Sequence, residues 1–151
     1  MKFKVPSGDS GVYFRGSEGG QYGFFGPQVQ VFPPDDVGGV IELGVQNRQT
    51  TVRSTSPADA SQRFFVRDDW NELELDALGP HVSVRVNGVT TAELHDEVLY
   101  RNGNIAIQLF GNKDTEVLIT DVRIRRIRRS NLPMMQWSSE DTTIRPSVRS
   151  L

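Results

Sequence analysis

Apolar and polar residues alternate in short runs along most of the chain, a period of two that matches strands and not helices. Lys2 to Val5 alternates, and Gly11 to Arg15 sets Val12 and Phe14 on one face against Tyr13 and Arg15 on the other. Gln28 to Phe32 opposes Val29 and Val31 to Gln28 and Gln30, and Pro33-Pro34 ends that run because proline cannot donate to a ladder. Val40 to Leu43 and Thr50 to Arg53 are weaker strand candidates in a looser stretch. Trp70 to Ala77 sets Leu73, Leu75 and Ala77 against Glu72, Glu74 and Asp76, and Val82, Val84 and Val86 repeat the pattern. Asn87-Gly88 then predicts a type I′ hairpin, which needs positive φ at both central residues, with Val89 to Leu94 returning. Asn104 to Phe110 opposes Ile105, Ile107 and Leu109 to Ala106, Gln108 and Phe110. Thr115 to Ile127 reads as a last long strand. Its phase slips at Thr120-Asp121, which predicts a bulge or bend, with Val122, Ile124 and Ile127 at the buried positions. No window holds a helical period for three turns. The pattern predicts an all-β protein, an antiparallel β-sandwich.

Composition sharpens this reading. At 151 residues the chain suits one domain with a single core, and 36% apolar residues suffice for two sheets. The domain is expected over 1–129, followed by a polar tail over 130–151 that has no period. A net charge of -2 gives no global attraction to nucleic acid or anionic lipid. Cysteine is absent, which excludes disulfides, thiolate metal sites and cysteine nucleophiles. No apolar run approaches the ~20 residues of a membrane span. The start MKFKVPSG is already strand-like and is no signal peptide; it leads to the expectation that the first strands of the natural domain lie upstream. A sheet edge left open in that way would favour pairing with another chain, hence a homo-oligomer.

Few local motifs carry chemistry. Asp35-Asp36 before Val37-Gly38-Gly39 is a candidate for calcium through carboxylates and loop carbonyls, but no regular ligand spacing follows and an Asp-rich turn is the simpler reading. No other cofactor is indicated. Asp68-Asp69 before Trp70 reads as a turn entering a strand. His81 and His95-Asp96 show neither metal-ligand spacing nor a serine-elbow context. The run VRIRRIRR is read as a charged strand edge and not as a nucleic-acid contact, since its apolar residues occupy alternate positions.

Taken in order, SGVYFRG, YGFFGPQVQVF with PPDDVGG, DDWNELEL, VRVNG, NIAIQLFG and EVLITDVRIRRI resemble the 3-keto-disaccharide hydrolase domain family over roughly residues 3–128. The resemblance implies a concanavalin A-like or laminin-G-like jelly roll, a carbohydrate ligand and a secreted or periplasmic setting. It also implies cleavage of the glycosidic bond of a 3-keto-glycoside. The ketone acidifies the C2 hydrogen, a base removes it, the enolate expels the group on C1, and water can add back. Such a site needs a base, donors for the enolate oxygen and an acid for the leaving group.

Under that resemblance Arg15, Glu42 and Asp36 are the catalytic candidates. Arg15 would serve the enolate or a hydroxyl, and Glu42 and Asp36 are the nearest carboxylates by motif position, with His95 a poorer base. Gln28, Gln30 and Gln108 would bond hydroxyls, and Tyr13 or Phe110 would stack on a pyranose ring. Two departures stand against catalysis: Gln28 occupies a position where the family often has glutamate, and Phe110 one where it often has histidine. A carbohydrate-binding module without chemistry, or an inactive truncated copy, therefore remain as alternatives.

Overall fold

The computed structural model describes residues 1–19, 23–32, 37–43, 50–54, 64–95, 101–110 and 114–125, with backbone only for 32, 42–43 and 50–54. All regular structure among them is strand: β1 (Lys2–Ser7), β2 (Ser10–Glu18), β3 (Phe24–Phe32), β4 (Val40–Leu43), β5 (Thr50–Ser54), β6 (Asn71–Leu78), β7 (His81–Val86), β8 (Val89–His95), β9 (Asn104–Ile107) and β10 (Glu116–Thr120). They form two five-stranded sheets, ordered β10-β1-β6-β7-β8 and β5-β4-β3-β2-β9, and every described pairing is antiparallel. The molecule is an all-β, jelly-roll-like sandwich.

The core lies between the sheets. Phe3, Val5, Leu73, Val82, Val84 and Val86 from one sheet meet Val12, Phe14, Val29, Val31 and Val40 from the other. These are the alternate residues that the period-two pattern selects, and each contributes about 1.5–3 kcal/mol through burial. Thr91 ties the layers together. Its hydroxyl shares its one proton between the carbonyls of Gly38 (3.1 Å) and Val84 (3.3 Å), so the turn before β4 is held against β8. Gly38 sits at φ 80°, and a Cβ there would fall on the Thr91 side chain, so the close approach requires glycine.

A polar knot forms around Asn71. Asn71 is buried; its amide accepts from Val66 N–H and donates to the carbonyls of Val66 and Asp69. Asn87 donates to Asn71 Oδ1 and to Phe64 O, and accepts from Glu72 N–H. Asn87 and Gly88 have φ of 50° and 80°, the pair of positive values expected for the β7–β8 turn. The Asp68-Asp69 turn before β6 is also present, with Asp68 at φ 61° and Trp70 N–H donating to Asp69 Oδ1.

Two expectations need correction. The strand β10 ends at Thr120, where Asp121 turns into the left-handed region (φ 54°), so the predicted bend is present but the strand does not resume among the described residues, which run to Arg125. Val122 and Ile124 are consequently exposed, not buried. Arg123 is exposed and pairs locally with Asp121 at 2.8 Å. β9 stops at Ile107, and Ile105 is partly exposed although its phase is that of the core. β1 is flanked on both sides, by β10 and β6; the edges among the described strands are β10, β8, β5 and β9. The tail over 130–151 lies outside the described residues.

Candidate active site

The face of the second sheet that points away from the core carries the residues out of phase with Val12, Val29 and Val31. Cross-strand register puts Tyr13 opposite Gln28 on β3 and opposite Ala106 on β9. This face is not a wet one at that point. Tyr13 is 2% exposed and Gln28 1%, as buried as the core. Tyr13 packs its ring on Phe24, centroids 5.0 Å apart. Burial disfavours the phenolate and pushes the Tyr13 hydroxyl up to about 12, so it remains a neutral group across ordinary pH.

Gln28 is the centre of a three-amide cluster. Its Nε2 donates to Gln30 Oε1 at 2.6 Å and to Gln108 Oε1 at 2.8 Å. Its own Oε1 is buried and has no donor. A buried acceptor in that state costs about 1–3 kcal/mol. The two donated bonds consume the carbonyl oxygens of Gln30 and Gln108, which leaves the Nε2 groups of these half-buried side chains as donors.

The surrounding backbone fixes this arrangement. Gln108 lies just past β9; its N–H donates to Gly11 O at 2.8 Å and its carbonyl accepts from Ser10 Oγ at 2.9 Å. Gln30 exchanges backbone bonds with Gly38 and Gly39 at 2.8 and 2.9 Å. Gly11 supplies the floor: a Cβ there would fall within 1.8 Å of Gln28 Nε2, so the amide can lie flat on β2 only over glycine. Ser10, Gly11 and Phe24 are parts of the site that residue chemistry did not single out. The one available signal was a glycine inside an alternating strand.

Arg15 is positioned by a different device. From Tyr13 to Ser17 β2 advances four residues while β3 advances three, Gln28 to Phe25, which is a one-residue bulge. Arg15 sits in it at φ 54°, and its Nη1 donates to Gly79 O at 2.8 Å, on the β6–β7 turn of the opposite sheet. Burial, and then the neighbouring Arg101 charge, lower its pKa from the ordinary arginine value. The glycine after it is explained by the same bulge, because a Cβ on Gly16 would meet the Phe24 ring and Phe25 O. Thus Gln28, Gln30, Gln108 and Tyr13 come together, whereas Arg15 is anchored to the other layer. Phe110 follows Gln108 by two residues and is 38% exposed. Glu42 is the cross-strand partner of Pro27, one step out of phase with the Gln28–Ile41 pair; its side chain, like all of Asp36, lies outside the described residues. Among the described residues no group of three or more His, Cys, Asp or Glu side chains is arranged to hold a metal.

A family model described as the 3-keto-alpha-glucoside-1,2-lyase-like domain matches residues 1–128. The chain belongs to this family. It is the family that the ordered motifs resemble, and the match spans both sheets and all three glutamines. No curated protein matches the chain. Membership makes this lyase-like domain a carbohydrate-active one. No helix among the described residues is long and apolar enough to cross a membrane.

Proposed function

We propose that the chain recognises a 3-keto-glycoside through the Gln28–Gln30–Gln108 cluster, without a general base in that cluster. One observation carries this reading: Gln28 gives both amide protons to its neighbours and keeps a buried Oε1 without a donor. A sugar hydroxyl that reaches it as the half-buried Gln30 and Gln108 side chains give way is the donor that completes it. The Nε2 groups of Gln30 and Gln108 then serve the ketone or ring hydroxyl oxygens, and Tyr13 with Phe24 forms the apolar floor. None of the three amides can take or release a proton near neutral pH, and this is why binding is favoured over cleavage.

Family membership favours a second reading, cleavage by C2 proton abstraction and loss of the C1 group. It requires a carboxylate from elsewhere, Glu42 or Asp36, to reach the C2 hydrogen. Arg15 would contribute by stabilising enolate charge only after releasing Gly79.

The test is calorimetric binding of a 3-keto-glucoside and its parent glucoside, together with aglycone release, for the wild type, Gln28→Ala and Glu42→Gln. Keto-sugar binding that disappears in Gln28→Ala, with no release by the wild type, supports recognition. Release by the wild type that is lost in Glu42→Gln supports cleavage. Keto-sugar binding equally strong in Gln28→Ala overturns the cluster as the site.

A further inference from the structure

On the opposite sheet from the glutamine cluster, two histidines meet. His81 opens β7 and His95 closes β8, and the hairpin register makes them direct cross-strand partners. They are 14 residues apart in sequence, too far for any local ligand motif, and only the Asn87-Gly88 turn brings them together. Their ring centroids are 4.3 Å apart in an edge-to-face arrangement. His95 Nδ1 lies 3.3 Å from His81 Nδ1 and 3.2 Å from His81 Nε2. An imidazole nitrogen directs its lone pair or proton along one line in the ring plane. His95 Nδ1 is within hydrogen-bond reach of either nitrogen of the His81 ring, and the tautomers decide which donates.

The separation has a second meaning. Two imidazole nitrogens at about 2.0–2.1 Å from a tetrahedral zinc ion stand about 3.3–3.4 Å apart. The strand pair already holds the nitrogens at that span, and both side chains are exposed, so rotation about χ2 can turn two lone pairs to one point. They line an open groove of about 400 Å³ whose wall includes Asp76 and Glu93, carboxylates that add negative charge beside the pair.

We propose that His81 and His95 form a two-imidazole site for a borderline divalent transition metal, of the zinc, nickel or copper type. Imidazole suits these ions and not calcium or magnesium, which take oxygen ligands. No third side chain of the described residues completes a cage, so water fills the remaining positions and the ion exchanges readily. A bound ion bridges β7 to β8, the edge strand of its sheet, and cross-links the hairpin at the end opposite its turn.

The test uses the full chain without an affinity tag, titrated calorimetrically with zinc chloride and with nickel chloride. The wild type is expected to bind one ion per chain. His81→Gln and His95→Gln are each expected to lose that binding while keeping the metal-free melting temperature, since both side chains are on the surface. Acidification to about pH 5 is expected to release the ion, because metals take the neutral imidazole. Histidine NMR of the wild type gives a readout that needs no variant: both imidazoles shift together at one equivalent of zinc. No binding by the wild type, binding retained in the double variant, or metal that leaves the imidazole signals unmoved would each overturn the site.

Discussion

Gln28 shows how much a single side chain can organise. It is fully buried on a face where solvent would be expected, and its orientation depends on the absence of a side chain beneath it. Gly11→Ala places a methyl group into the Gln28 amide and forces it to move. We expect a loss of about 1–3 kcal/mol in urea unfolding together with weakened sugar binding; unaltered binding would separate Gly11 from the site. Tyr13, beside it, sets a pH dependence. Its folded-state value lies near 12 against an ordinary 10.0, so the native state keeps the proton that the unfolded state gives up. Its contribution to stability is intact below pH 10 and is lost as the pH rises toward about 12. Comparing urea unfolding at about pH 9 and about pH 11, Tyr13→Phe should lose less stability than the wild type over that interval. The sequence disclosed the shared phase of Gln28 and Gln30, because alternation within one strand is local. The resemblance grouped Gln108 with them, but alternation alone could not bring it, 80 residues from Gln28, into hydrogen-bond contact. That required the β2–β9 pairing.

Strand identity was largely legible at the scale of elements, and strand ends were not. Val40–Leu43 matches its prediction to the residue, and the β7–β8 hairpin follows from Asn87-Gly88. The failures occur where backbone geometry interrupts a good apolar pattern. Asp121 enters the left-handed region and ends β10, so Val122 and Ile124 continue the pattern in sequence but not in the sheet. Arg15 enters the same region inside β2, which continues to Glu18, and the bulge redirects it from the face that parity assigns. Asn87 combines both lessons, since it supplies a positive φ and three side-chain hydrogen bonds. Asn87→Gly keeps the backbone conformation and loses the bonds, a cost of about 1–3 kcal/mol. Asn87→Ala should cost about 1 kcal/mol more, through the left-handed penalty. Equal costs for the two variants in chemical denaturation would show that the turn conformation contributes nothing of its own.

For the whole molecule, the β-sandwich followed from many weak periodic signals that agree and its jelly-roll character from the family resemblance, and the family match covers both sheets. What the pattern could not give is the order of strands within a sheet. That order has a kinetic consequence. β1 lies between β6 and β10, so Met1 bonds to Leu73 across 72 positions and Asp9 to Thr115 across 106. During synthesis β1 leaves the ribosome before either of its neighbours. Its sheet cannot close until the segment around residues 116–120 has emerged, and the Phe3 and Val5 side chains wait exposed until then. Such non-local pairing places folding among the slow, millisecond-to-second topologies. It also makes the nascent chain, not the finished sandwich, the form most exposed to aggregation.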